Sequence, residues 1–117
     1  MAVRPPRSLF PDVRAGNPAA ALEYELAQER AANLGRLGRR LEAALAELSR
    51  FDASAADESE QQRRTMRHAL VAEAGVALWH FVVQRDAIGL RDSPQLMRDY
   101  RVPPEVRNAM GAFPQKG

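Results

Sequence analysis

One polar cluster inside an apolar stretch is the first place to look for chemistry in this chain. His80 lies between Trp79 and Phe81. Glu73 precedes it by seven residues and Gln84 follows it by four, so on a helix all three lie on one face. Carboxylate and histidine groups bind metals in some helical bundles, but the typical Glu-x-x-His pair is absent because position 77 is alanine. We therefore expect a structural histidine, with a metal or small-ligand site at Glu73, His80 and Gln84 as the alternative.

Arginine supplies two candidate anion-binding patches. They consist of Arg36, Arg39 and Arg40 in the first and of Arg63, Arg64 and Arg67, next to His68, in the second. With a hairpin loop near residue 55, position 40 would lie opposite about position 70, which would bring the patches together. Guanidinium groups bind phosphate well, but no aromatic residue interleaves either patch to stack on bases. An acidic cluster, Glu23, Glu25 and Glu29, favours a solvated or self-assembling surface instead.

Residues 93–110 have the outline of a helix-turn-helix. That arrangement would present Glu105, Arg107 and Asn108 to nucleic acid. Arginine at position 101, where a turn glycine is usual, two following prolines and a short second helix argue against it. We expect the pair to pack on the rest of the chain through its apolar residues, which are Leu96, Met97, Tyr100, Val102, Val106 and Met110.

The composition excludes several classes of chemistry. The 117 residues include no cysteine, which removes thiol catalysis, disulfides and cysteine-bound metals. No apolar run reaches the roughly 18 residues needed to cross a membrane, and the first 15 residues lack the apolar core of a signal peptide. The net charge of +2 is too small to define a nucleic-acid surface. We expect a cytoplasmic protein with no cofactor and no enzymatic activity, for which nucleic-acid binding is the less favoured alternative.

The elements that position these residues are predicted to be helices. Asn17 and Pro18 are typical of a helix start, a small acidic loop follows Phe51, and Gly89 is typical of a helix end. The pattern predicts helices over residues 18–51, 58–88, 94–100 and 104–110 within one domain over 17–111, an extended or disordered arm over 1–16 and a frayed tail over 112–117.

The fold class that follows is all-α. Two long helices form an antiparallel hairpin, and two short C-terminal helices complete it. Since the second helix is apolar nearly all round between residues 76 and 83, it should be buried on more than one side. We expect a homodimer that completes a four-helix bundle, with an unidentified protein partner as the alternative. The predicted self-association residues, some of them in a coiled coil-like 3-4 spacing, are Leu34, Leu37, Leu41, Leu48, Leu70, Leu78, Trp79 and Phe81.

The sequence also resembles a family of small all-helical bacterial proteins of unknown function. The resemblance spans about residues 19–111 and is carried by LEYELAQERAANLGRLGRRLEAALAEL, ALWHFVVQRDAIGLRD and MRDYRVPPEVRNAMG. It implies a small helical domain that exists on its own, and it assigns no activity, cofactor or partner. The function predicted is that of a structural or protein-interaction module that self-associates. The alternative is a nucleic-acid-binding or regulatory protein that uses the arginine patches or the C-terminal helical pair.

Overall fold

The computed structural model describes residues 17–54 and 57–111, and in those ranges all the regular structure is helical. Four helices follow in chain order, α1 over Pro18–Ala53, α2 over Glu60–Ala87, α3 over Ser93–Asp99 and α4 over Pro104–Ala109. The all-α prediction is confirmed. The observed helix ends differ from the predicted ones by at most two residues. The predicted arm over 1–16 and frayed tail over 112–117 lie outside the described residues.

The chain divides into two compact units, Met1–Asn33 and Leu34–Gly117. The described part of the first unit is the beginning of α1, which Asn17 caps by accepting a hydrogen bond from the Ala20 amide at 3.2 Å. Its large apolar side chains, Leu22, Tyr24 and Leu26, are exposed. The prediction of a single domain over 17–111 stays a prediction.

The second unit contains the hydrophobic core. The part of α1 from Leu34 onward packs against α2, and α3 and α4 pack with this pair, as the fold class predicted. The large buried side chains are Leu41 and Leu48 of α1, Leu78 and Phe81 of α2, Leu96 of α3 and Val106 of α4. Burying each of them stabilises the fold by roughly 1.5–3 kcal/mol before the loss of chain entropy.

Local sequence determines where α2 begins. Ser59 and Gln62 form a capping box, in which the Gln62 amide donates to Ser59 Oγ at 3.1 Å and the Ser59 amide donates to Gln62 Oε1 at 2.9 Å. Two of the amides that a helix start leaves unpaired are thereby satisfied.

The C-termini of α2 and α3 have the same type of turn. Gly89 has φ of 90°, and its amide and that of Leu90 donate to the carbonyls of Asp86 and Arg85, which is a Schellman motif. After α3, the amides of Arg101 and Val102 donate in the same way to Arg98 and Met97, and Arg101 has φ of 53°. Arginine therefore occupies the left-handed position that glycine usually takes, and the chain turns from α3 into α4 without glycine.

Two glycines allow helices to approach closely. A Cβ atom on Gly38 would lie 3.0 Å from Tyr100 Oη and 3.2 Å from Phe81 Cζ. A Cβ atom on Gly75 would lie 3.0 Å from Ala109 Cβ and 3.1 Å from the Ala109 backbone. Helix α4 thus lies directly on the backbone of α2.

In the described part of the chain, no helix is long and apolar enough to cross a membrane.

Candidate functional site

The polar cluster around His80 takes a different form from the predicted one. Arg40 of α1 donates from Nη1 to His80 Nδ1 at 2.9 Å. Since a guanidinium group can only donate, Nδ1 is the acceptor and the ring proton lies on Nε2. Glu73 is exposed and Gln84 is half-buried, and within the described residues neither is hydrogen-bonded to His80. The structure therefore brings His80 to an arginine of the first patch, and among the described residues no hydrogen bond joins the three predicted residues to one another.

A metal site needs several ligands that converge on one point. Among residues 17–54 and 57–111, no group of three or more histidine, aspartate or glutamate side chains could hold a metal ion. The alternative of a metal site at Glu73, His80 and Gln84 gains no support from this arrangement.

Arg67 is the centre of an ion-pair network that we call the clasp, formed by Asp52, Arg67 and Glu105. Its guanidinium group binds the Asp52 carboxylate through two bonds, Nε to Oδ1 at 2.7 Å and Nη2 to Oδ2 at 3.0 Å, and Nη2 also binds Glu105 Oε2. Asp52 lies in the last turn of α1, Arg67 lies on α2 and Glu105 lies in the first turn of α4, so the clasp joins three helices.

The clasp changes the acidity of its members. Hydrogen bonds from Arg67 hold the pKa of Asp52 and the pKa of Glu105 below their usual values. The bonds to Asp52 and then to Glu105 raise the pKa of Arg67, so this guanidinium is charged at neutral pH. The clasp borders a groove of about 320 Å³ whose other lining residues are Leu45, Leu48, Ser49, Arg101 and Pro103.

The rest of the second arginine patch also has partners within the chain. Arg63 donates to the Phe51 carbonyl at 2.9 Å, and its guanidinium carbon lies 4.3 Å from the centre of the Phe51 ring. Arg64 lies 3.4 Å from the Glu60 carboxylate one turn earlier. This patch therefore links parts of the chain and offers little free positive charge to an anion.

The first arginine patch is more open. Arg36 and Arg39 are exposed and make no ion pair among the described residues, while Arg40 binds His80. The expectation that position 40 lies opposite about position 70 is wrong, since Arg40 meets a residue ten positions further along α2. The pairing of positions that was expected to bring the two arginine patches together is therefore not the one observed.

Most of the predicted self-association residues contribute to the core of the single chain. Leu41, Leu48, Leu78 and Phe81 are at most 4% exposed. The partly buried members, Leu34, Leu37 and Leu70, pack against that core. Trp79 is 36% exposed, the largest exposed fraction of the set.

A second apolar face of α2 lies on the surface, and sequence periodicity alone did not separate it from the core face. We call it the α2 stripe, defined as Ala72, Val76, Trp79 and Val83. Val83 is 42% exposed, and Ala72 and Val76 are half-buried. The spacing of four, three and four residues places the members on consecutive turns of one face, as in a helix-packing seam. The signal that could have found it is this second 4-3-4 spacing on the face opposite Leu70 and Phe81.

The C-terminal helical pair packs back on the long helices, as predicted. Leu96 and Val106 are buried, and the partly buried Met97, Tyr100, Val102 and Met110 pack against the core. Glu105, one of the three residues that a recognition helix would present, is bound to Arg67. The helix pair is therefore part of the core structure.

The protein is therefore a small all-α protein, in which two short C-terminal helices pack against a pair of long helices. The chain belongs to a family of unknown function, DUF6665, whose family model matches residues 1–117. The resemblance to such a family is confirmed. Neither the curated proteins nor the solved structures contain a match to the chain.

Proposed function

We propose that this protein is a helical interaction module, not an enzyme, and that it associates with a second copy of itself through the α2 stripe. The observation that carries the proposal is that α2 has two apolar faces. One face forms the core with α1, α3 and α4, and the other lies on the surface with the spacing of a packing seam. Covering such a face removes apolar area from water, which favours association by about 25 cal/mol per Å² before the cost of association.

The stripe differs from the other exposed apolar residues of the second unit. Met66 and Leu90 are exposed singly, and single apolar residues are ordinary on protein surfaces. The stripe instead continues over about three turns and includes the one tryptophan of the sequence. Tryptophan is strongly enriched among the residues that contribute most to binding at interfaces.

A second copy is the occupant that the stripe fits. Its 4-3-4 spacing reads the same in both directions, so the four positions of an antiparallel copy lie level with the four positions of the first stripe. An interface in which one patch meets itself is the usual form of a two-fold dimer. Nucleic-acid binding gains no comparable support, because Arg63, Arg64 and Arg67 are engaged within the chain.

The experiment that tests the proposal is a measurement of solution mass by light scattering after size exclusion, over a range of concentrations. We expect a wild-type mass of about twice the 13.0 kDa chain. A Val83→Glu variant should weaken association by about tenfold or more, since it places a charge in the apolar stripe. Met66→Glu is the matched control, because Met66 is also 42% exposed on α2 but lies off the stripe.

Circular dichroism should show the same helix content for both variants as for the wild type. A wild-type protein that stays monomeric at every concentration would overturn the proposal. Equal association of the wild type and Val83→Glu would overturn it as well.

A further inference from the structure

We infer that two copies of α2 meet antiparallel about a two-fold axis between Ala77 and Leu78, and that Glu73 of each copy binds the polar group of Arg40, His80 and Gln84 on the other. This inference rests on the proposed self-association through the α2 stripe. It adds the orientation of the partner and a polar site that each copy completes for the other.

The side-chain sizes along the stripe favour the antiparallel orientation. Around a midpoint between residues 77 and 78, Ala72 is level with Val83 of the partner subunit, and Val76 is level with Trp79 of the partner subunit. Each larger side chain then meets a smaller one, which is how close-packed helices fill the space between them. A parallel pair would instead place Trp79 level with Trp79 of the partner subunit and Ala72 level with Ala72 of the partner subunit, which leaves the packing uneven.

The polar edge of the stripe supplies an independent argument. Glu73, His80 and Gln84 border the stripe on one side, and Arg40 is bound to His80 at 2.9 Å. The carboxylate of Glu73 is exposed and, in the described part of the chain, makes neither an ion pair nor a hydrogen bond. One edge of the stripe therefore carries the negative charge of Glu73, which has no partner among the described residues, and the positive charge of Arg40 about two turns further along.

The same axis brings these charges together. Position 73 becomes level with position 82 of the partner subunit, the midpoint between positions 80 and 84. Because equivalent edges face each other in an antiparallel two-fold pair, Glu73 meets His80 of the partner subunit and the guanidinium group that His80 binds. The contact is made twice, as two-fold symmetry requires. A parallel pair would place Glu73 against the other edge of the partner's stripe, away from the arginine.

Disulfide trapping tests the orientation directly. The sequence contains no cysteine, so a double variant Ala72→Cys/Val83→Cys carries only the introduced thiols. Under mild oxidation we expect bridges between position 72 of one chain and position 83 of the other, identified by mass spectrometry of the peptides. The single variants Ala72→Cys and Val83→Cys are the controls and should form few dimers.

A charge exchange tests the polar contact. Glu73→Arg and Arg40→Glu should each raise the dissociation constant of the dimer about tenfold, and the double variant should restore it to within about threefold of the wild type. Glu42→Arg is the control, because Glu42 is an exposed carboxylate two residues from Arg40 and therefore on the other side of α1. It should leave the constant unchanged. Single variants without effect, or a double variant without recovery, would overturn the polar contact.

The trapping result and the solution mass together distinguish an incorrect orientation from an absence of self-association. Bridges that join like positions, or no bridges in a protein that dimerises, would overturn the antiparallel arrangement while Val83→Glu still reduces the mass. A wild-type monomer that Val83→Glu does not change would overturn both.

Discussion

Gly75 is a residue at which the absence of a side chain determines where another helix lies. A methyl group there would meet the Ala109 backbone at 3.1 Å, and a backbone cannot turn aside as a side chain can. Glycine inside a helix costs about 1 kcal/mol relative to alanine. Glycine at position 75 destabilises α2 by this amount, but it allows α4 to pack directly against the α2 backbone.

We predict that Gly75→Ala lowers the free energy of unfolding by up to about 2 kcal/mol. The overpacking cost of roughly 1–3 kcal/mol exceeds the gain of about 1 kcal/mol in helix propensity. Gly35→Ala is the matched control, because its methyl group would meet only the far end of the long, flexible Arg39 side chain, at 3.3 Å. It should raise the free energy of unfolding by up to about 1 kcal/mol. Urea denaturation measures both, and the argument fails if Gly75→Ala is as stable as Gly35→Ala.

At the scale of whole helices, α1 should be uneven in stability along its length. From residue 22 to residue 32 every side chain is exposed, whereas Leu41 and Leu48 are buried. An isolated helix of the length of Pro18–Asn33 is marginal in water, because helix formation is cooperative and most of its stability comes from packing. The two parts of one continuous helix therefore depend on different sources of stability.

Hydrogen exchange followed by mass spectrometry checks this unevenness. We predict that amides of residues 20–33 exchange at least about a hundredfold faster than those of residues 41–48, because opening the first segment exposes no core. Residues 74–81 of α2 are the internal reference and should be protected like residues 41–48. Equal protection along α1 would mean that something covers its beginning.

Caps and periodicity were sufficient to predict the helices. Asn17 before Pro18, Ser59 three residues before Gln62 and Gly89 mark helix ends by local hydrogen bonding, so neighbouring residues contain the information. Arg101 is the exception, since it takes a left-handed conformation that costs roughly 1–2 kcal/mol. Its residue type gives no local signal for that turn.

Periodicity did not reveal what covers each apolar face. The spacing of Leu34, Leu37 and Leu41 is that of a packing seam, but a seam does not specify whether α2, α3, α4 or another chain lies against it. In the structure, Leu96 and Val106 close a core that the sequence had assigned in part to a second copy. Local patterns do not predict these contacts, because Leu96 and Val106 are far along the chain from the residues of α1 that they help to bury.

The predicted register of α1 against α2, which placed position 40 opposite about position 70, was wrong for a physical reason. Side chains on a helix lean toward its N-terminus, so Arg40 of α1 reaches away from the loop and Arg67 of α2 reaches toward it. Arg40 consequently meets His80, and Arg67 meets Asp52. Both arginines stood out in the sequence, yet their partners depend on side-chain direction and loop length together.

At the scale of the whole molecule, the clasp makes the arrangement of three helices depend on charge. Asp52 of α1 and Glu105 of α4 both bind Arg67 of α2. Exposed ion pairs each contribute only about 0.2–1 kcal/mol, but a bidentate arginine shared by two carboxylates is the geometry in which the contribution is measurable. Since the clasp spans the ends of α1 and α4, losing it should loosen the docking of α4.

The pH dependence of stability tests the clasp. Arg67 lowers the pKa of Asp52 and the pKa of Glu105, so the unfolded chain binds more protons than the folded one between the folded and unfolded pKa values. The stabilisation is therefore complete above the unfolded values of about 4 and is lost as the pH falls through the lowered ones. We predict that Arg67→Met lowers the free energy of unfolding by about 1 kcal/mol at pH 7 and by progressively less as the pH falls below about 4, because the two carboxylates then take up protons.

The matched control is Arg64→Met, which removes an ion pair with Glu60 whose side chains are 66% and 89% exposed. Its effect should stay within about 0.5 kcal/mol at pH 7, because water and salt screen such a pair. Urea denaturation of the wild type and both variants, at pH values from 7 down to 2, separates the clasp from general acid destabilisation, which all three proteins share. A difference between the wild type and Arg67→Met that stays constant across this range would assign the effect of Arg67 to the packing of its aliphatic stem. A difference that disappears on acidification would show that carboxylates on α1 and α4 hold these helices to α2 through one guanidinium group.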